Sequence, residues 1–413
     1  IYTTSYILTN DLQNLECTLL VIDEIHKFTT ENLQSIFNGS RINHKYRLGL
    51  TGTYPHENYS ITSHFPIVDE ITMEEALQNN WISNFVEYNV LLELKDQDKL
   101  KYIAHSIPIN EAFEMFRNKS KLFNPKVIKD DYTLIDACYR GVKTIGLHGE
   151  DIYIKFDYIC NFLGTSMGWH SDLKLITEED QKLNTYWNPT KIHERAKQFA
   201  YAVQKRNEIL INNQVKLNAI GAILKRSQKT TICFNESITF ADSVANYVNV
   251  LFNNQFPAIC YHSKLESRPL IDPSTNKPYL YVSGKNKGLP RIFGKTLIKR
   301  YVIDYMKQGY FKFLSTAKAL DEGVSIPQIE QVICTGGTTN PLTYEQRTAR
   351  GKTINIYNPD KTTIIINLVF NDFIDDSNGE TIYSRDKKKL ILRQRSHADR
   401  VTWVKSIDEV NFE

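Results

Sequence analysis

Two neighbouring carboxylates, Asp23 and Glu24, follow directly on the apolar run Leu19-Leu20-Val21-Ile22, and His26 stands two residues further on. A short continuous apolar run fits a parallel strand covered on both faces, and ligand chemistry in such sheets gathers at the strand carboxyl ends. Paired acids at that point answer to a cation or an arginine. Hydrated Mg²⁺ is the expected cation, bound through Asp23 with Glu24 beside it to orient or deprotonate a water. The alternative is a plain strand whose acids begin the next helix as cap and first-turn charge.

Further stretches carry chemistry in order down the chain. Tyr46-Arg47-Leu48-Gly49-Leu50-Thr51-Gly52-Thr53 ends in hydroxyls after a second strand-like run. Phe311 to Pro327 ends in Ala-Leu-Asp-Glu-Gly-Val-Ser-Ile-Pro, and Tyr344 to Lys352 concentrates Gln346, Arg347 and Arg350. Together with Asp23-Glu24-Ile25-His26, this series resembles superfamily 2 DNA helicases and translocases of the DEAD/DEAH-like, phage or repair type. The resemblance covers residues 1–94 and 216–395.

That resemblance implies ATP and Mg²⁺ as cofactors and nucleic acid as partner, with DNA the expected kind and the choice between DNA and RNA left open. By it, Asp23 and Glu24 hold the metal and act on water, while His26, Thr51 and Thr53 couple hydrolysis to strand contacts. Gln346, Arg347 and Arg350 belong to the arginine-finger motif, in which guanidinium groups reach the γ-phosphate. Asp321, Gly323 and Ser325 lie on the nucleotide side, and Thr4, Phe234, His262, Ser263 and Thr316 on the nucleic-acid path. Three departures stand out: Ser325 where many relatives carry Asp, Ala349 for the usual Gly, and Thr353 for the last Arg. Lys352 carries charge one residue early but lacks the planar fork of arginine.

No Gly-rich loop ending in Gly-Lys-Ser or Gly-Lys-Thr precedes Asp23. Gly351-Lys352-Thr353 has Arg347 where the earlier glycine belongs and follows no buried strand directly, so it is not that loop. The chain opens on Ile1-Tyr2-Thr3 without Met, and the expectation is a truncated first domain whose phosphate-binding loop lies upstream.

Composition bounds the rest. At 413 residues, 41% hydrophobic and 23% charged, the chain fits two or three soluble domains. A net charge of +3 neither requires nor excludes a polyanionic partner. The six cysteines show no zinc spacing, and Cys233 and Cys334 read as reduced buried thiols. No apolar run approaches a membrane span. A cytoplasmic protein is expected, and the Asn, Ile, Lys and Tyr content is that of an AT-rich genome such as a phage's.

Positioning these residues calls for an α/β fold: two RecA-like parallel-sheet domains, the first incomplete, with a helical insert between them. Residues 1–94 form the first, with strands at Tyr2–Ile7, Leu19–Ile22 and Arg47–Leu50, a Thr72-capped helix and an outgoing strand over Val86–Leu94. Residues 95–215 are mainly helical, with Ala196, Phe199, Ala200 and Val203 as one apolar stripe. Residues 216–413 form the second domain and end in a basic helix. Within it, residues 266–296 read as a Pro, Gly and Lys rich loop, either solvated or set to neutralise phosphates. The function so implied is ATP-driven movement on, or unwinding of, DNA. The competing readings are a non-unwinding restriction or remodelling motor and a helicase-like binding protein without hydrolysis.

Overall fold

The computed structural model describes residues 4–9, 16–52, 54, 58–122, 128–144, 178–182, 189–275, 277–317, 326–336, 340–375, 377–395 and 397–413. The chain begins with helix α1 (Thr4–Thr9) and strands β1 (Glu16–Ile22) and β2 (Asn43–Gly49). α1 occupies sequence expected to be a strand. Its β-branched residues yield to context: Ile7 is buried, and the Arg41 guanidinium donates to the C-terminal carbonyl of Leu8 at 3.2 Å, as a basic group does at a helix end.

β1 and β2 pair in parallel, Leu19 opposite Tyr46 and Val21 opposite Leu48. Side chains alternate across a strand, so only one face meets the core. Leu20 and Ile22 pack with Ile25, Phe37 and Phe65, while Leu19 and Val21 are each 50% exposed. The expectation of a strand covered on both faces therefore holds for one face among the described residues.

Strand β3 (Asn84–Leu92) leaves this region after the short helix Met73–Gln78, whose first turn is capped by Thr72 Oγ1 accepting from Glu75 N at 3.2 Å. β3 joins the large sheet and not the small one, pairing with Thr362–Phe370 over nine residues. The sequence places this strand at the end of a unit closing at residue 94; its backbone partners all lie downstream.

Helices α2 (Asp96–Phe116), α3 (Asp131–Thr144) and α4 (Pro189–Ile211) then form a core of their own from Ile109, Phe116, Leu134, Ile135, Ala196 and Phe199. Of the stripe expected on α4, Ala196, Phe199 and Val203 make this contact, with Ala202 added and Ala200 outside it. Helix α5 (Gln214–Arg226) leads into an alternation of strands and helices: β4 (Thr231–Asn235), α6 (Ile238–Leu251), β5 (Ala258–His262), α7 (Lys295–Lys307), β6 (Phe313–Ala317), β7 (Gln331–Cys334), α8 (Pro341–Lys352), β8 (Thr362–Phe370), α9 (Arg385–Arg393) and β9 (Val401–Val404).

The strands form one seven-stranded sheet in the order β9-β3-β8-β7-β4-β6-β5, every neighbour parallel. Helices cover both faces, so β4, β6 and β7 are buried along their whole length, as the apolar runs in them require. The chain is thus α/β with a parallel sheet. Lys216 on α5 is 1% exposed and bonds Asp386 of α9 at 2.6 Å, joining two helices across the interior.

Gly351 has a packing role. A Cβ there would lie 2.6 Å from Thr363 Cγ2 and 2.7 Å from Val332 Cγ2, so α8 can sit on β7 and β8 only with no side chain at that point. Gly351→Ala is expected to lower unfolding free energy by about 1–3 kcal/mol, the usual cost of overpacking. Urea denaturation measures it, and a wild-type midpoint would refute the close approach.

Candidate functional site

The acid pair sits where β1 gives out. Asp23 is exposed and its Oδ1 accepts from the Glu24 amide at 2.9 Å. Glu24 has φ 54° and ψ 45°, the left-handed conformation that costs an L-residue roughly 1–2 kcal/mol. Strain of this kind persists only where surrounding structure enforces it. Here Ile25 is 1% exposed and its amide donates to Leu50 O at 3.1 Å, which locks the turn onto the end of β2.

His26 is brought against both motifs. Its Nδ1 lies 2.8 Å from Thr51 Oγ1 and 3.2 Å from Glu24 Oε2. Asp23, Glu24, His26 and Thr51 therefore form one cluster at the carboxyl ends of two parallel strands. Thr53, Asp321, Gly323 and Ser325 lie outside the described residues. Thr4 is exposed on α1.

Gln346, Arg347 and Arg350 share α8, which starts with Asn340 Oδ1 capping Leu342 N and Pro341 in the first turn. Arg347 is 7% exposed and its guanidinium lies over the Phe234 ring at 5.6 Å. Gln346 and Arg350, one turn apart, are half-buried together on a flank of the helix. Lys352, which carries charge one residue before the last arginine position of the motif, faces inward. It is 8% exposed, with Nζ 3.9 Å from the Phe85 ring centroid, and burial pushes its ammonium pKa down.

Several residues expected on the nucleic-acid path are interior. Thr316 and Phe234 sit opposite one another in β6 and β4 and are 0% and 2% exposed. His262 is 5% exposed: Nδ1 accepts from Lys264 N at 3.2 Å, leaving Nε2 to donate to Asp242 at 3.0 Å. Thr316 and Phe234 are taken up by the fold, since strands flanked on both sides turn their side chains into covering helices, whereas His262, on the edge strand β5, is held by Asp242 of α6. Ser263, one residue beyond β5, is exposed.

Two buried charges that the sequence did not single out hold α8. Lys361 is 3% exposed, and the three N–H groups of its ammonium are shared among four carbonyls within reach of Nζ, Gly351 at 2.9 Å, Thr353 at 2.6 Å, Pro327 at 3.0 Å and Ile329 at 3.0 Å. It thereby supplies the donors that the last helical turn lacks. Glu87 on β3 is 3% exposed and accepts from Tyr344 of α8, from Asn367 Nδ2 at 3.1 Å and from Gln394. Burial alone pushes the Glu87 carboxyl up, but His397 and Tyr344 outweigh it and hold the group below its ordinary value. The only sequence signal for either is a charged residue in or beside an apolar strand.

The sequence matches no family model and no curated protein. The chain is similar to the helicase domain of Pyrococcus furiosus Hef, with 16% identity and a TM-score of 0.42, over 89% of this chain and 75% of that one. It is similar to S. cerevisiae Dbp5 bound to RNA and ADP BeF3, with 11% identity and a TM-score of 0.40, over 95% and 60%. It is also similar to the ATP-dependent Type ISP restriction-modification enzyme LlaBIII bound to DNA, with 10% identity and a TM-score of 0.43, over 96% of this chain and 22% of that one.

Lys361→Met removes the donor from the Pro327 and Ile329 carbonyls, while Gly351 O keeps Thr363 Oγ1 and Thr353 O keeps Ser83 Oγ, and is expected to cost about 3 kcal/mol, since each buried unsatisfied group costs about 1–3. Chemical denaturation reads this, and a loss below about 1 kcal/mol would show water replacing the ammonium. Glu24→Gly should do the opposite, raising stability by about 1 kcal/mol by relieving the left-handed turn. A thermal shift to lower temperature in that variant would contradict the strain.

Proposed function

We propose that this chain is part of an ATP-driven motor that moves on or unwinds nucleic acid, with DNA as the partner. The observation that carries the reading is the 2.8 Å contact between His26 and Thr51, which ties the acid pair to the hydroxyl-ended motif after β2. A cluster that changes on hydrolysis and reaches a second segment through one histidine is what coupling needs. Asp23 and Glu24 fit a hydrated Mg²⁺, which typically takes one or two carboxylates and fills its octahedron with water and phosphate oxygens. Bound there with ATP, the metal would neutralise charge on the transferring phosphoryl group. Asp23 would hold it, Glu24 would orient or deprotonate the attacking water, and Arg350 would sense the γ-phosphate. Asp321, Gly323 and Ser325 would border the nucleotide, and Thr53 would join Thr51 in coupling.

A second reading has its own support. Lys352 is stacked on Phe85 in the interior, so the position nearest a second finger offers no free cation. On that reading the chain binds nucleic acid without hydrolysing ATP.

ATP turnover, with and without single-stranded DNA, separates the two. The motor reading expects DNA-stimulated turnover that falls about 10²- to 10⁴-fold in Glu24→Gln, the usual worth of a general base. Equal turnover in wild type and Glu24→Gln would remove these acids from the chemistry. DNA binding with no turnover in wild type would favour the second reading.

A further inference from the structure

Between Asp272 and Asp304 the sequence carries seven basic residues, Lys277, Lys285, Lys287, Arg291, Lys295, Lys299 and Arg300, and no acid. The whole chain is only +3, so the remainder is net negative and this segment is a local concentration of positive charge. A solvated loop would spread those charges over many conformations. The structure instead makes the segment a folded arm projecting between β5 and α7.

Its legs pair antiparallel: Arg268–Pro269 with Ile292–Phe293, Ile271–Asp272 with Lys277–Pro278, and Leu280 bridged to Pro290. Arg291 N donates to Tyr279 O at 2.7 Å, and Tyr281 N donates to Leu289 O at 3.0 Å. The tip turns on Gly284 and Gly288, with φ of 81° and 85°, conformations that glycine adopts without strain. Lys287 N donates to Gly284 O at 3.1 Å, which fixes Lys285 and Lys287 at the extremity.

The root is rigid. Tyr279 and Tyr305 share a hydroxyl hydrogen bond, the Tyr301 hydroxyl bonds Ile271 O, and the Tyr279 and Phe293 rings meet edge-on at 5.6 Å. Two cations lie on aromatic faces, Arg291 over Phe293 at 4.9 Å and Lys299 over Tyr261 at 5.3 Å. Arg300 pairs with Asp304 at 3.6 Å. Lys277, Lys285, Lys287, Arg291 and Lys295 are exposed and make no ion pair among the described residues. Apolar side chains stand out between them at the tip, Val282 at 86% and Leu289 at 57% exposure.

We infer that this arm is a binding element for single-stranded nucleic acid, its lysines and Arg291 meeting phosphates while Val282 and Leu289 rest against unstacked bases. Two properties favour that polymer. The charges run from root to tip along a ladder, which tracks a linear polyanion, and the uncovered apolar groups suit bases that a duplex would hide. The inference rests on the reading above only in that nucleic acid is the partner, and it needs no hydrolysis.

The test uses the 413-residue chain and a fluorescein-labelled oligothymidylate, with anisotropy followed across a salt series. Each phosphate contact contributes about 0.7 to the log–log salt slope for single strands, so the Lys285→Ala/Lys287→Ala variant should show a slope shallower by about 1.4. Lys285→Arg/Lys287→Arg should restore it. Val282→Ser/Leu289→Ser should weaken binding at unchanged slope. All substitutions lie at exposed positions, and circular dichroism checks the fold. An unchanged slope in the alanine variant, no binding by the unaltered chain at low salt, or equal lysine-dependent capture by anionic phosphatidylserine vesicles would overturn the inference. Slope changes in a chain without ATP turnover would uphold the arm while the motor reading failed.

Discussion

A single buried carboxylate organises the large domain. Glu87 lies in the middle of β3, where an uncompensated charge would cost several kcal/mol, so its neighbours are not free to drift. Tyr344 reaches it from α8, Asn367 from β8, and Gln394 and His397 from the segment after α9. Asn89 joins the same network through Gln394 at 2.8 Å. The partners come from several different elements, and the network is satisfied only when all are in place. Buried polar groups connected in this way specify one arrangement of helix on sheet more sharply than apolar packing does.

The arrangement so specified is that of α8. Glu87 holds its first turns through Tyr344, Lys361 gathers the carbonyls at its last turn, and Gly351 lets it approach β7 and β8. Arg347 is consequently turned inward onto Phe234, and Gln346 and Arg350 occupy the flank. The same physics operates at the acid pair, where a left-handed Glu24 is maintained by Ile25 and the bond to Leu50. In both places a side chain of the candidate site is oriented by a residue whose contacts are with the protein interior.

Much of this was legible in the sequence, for identifiable reasons. The strands of the large sheet are continuous apolar runs bounded by turn residues, and α4 keeps apolar residues at three and four, so Ala196, Phe199 and Val203 of its core-facing side were found. Asp23 and Glu24 were found by type and position after an apolar run, and His26 and Thr51 by resemblance; Glu24, His26 and Thr51 meet in space, with Asp23 beside them on the Glu24 amide. What the sequence could not show was partnership. Thr316 and Phe234 were set on the nucleic-acid path by resemblance, but the sheet has neighbours on both sides of β4 and β6. α1 looked like a strand because the β-branched residues in it carry that propensity, while the contact from Arg41 that ends the helix is more than thirty residues away. The folded arm looked like a loop because its ladders are only two residues long. Lys361 and Glu87 gave no signal beyond charge beside an apolar run.

The position of β3 governs how the molecule is made. Its two sheet neighbours, β8 and β9, are synthesised long after it; the Asn367 bond to Glu87 spans 280 residues. Closing so distant a contact is slow, and strand edges left open meanwhile invite misassembly. The three-helix core between them has its own buried side chains and is complete by Ile211, so it is able to assemble while β3 waits. A ribosome must therefore release the chain through Val404 before β3 is flanked on both sides, and a nascent chain stalled short of Val401 would expose one edge of it to the cell.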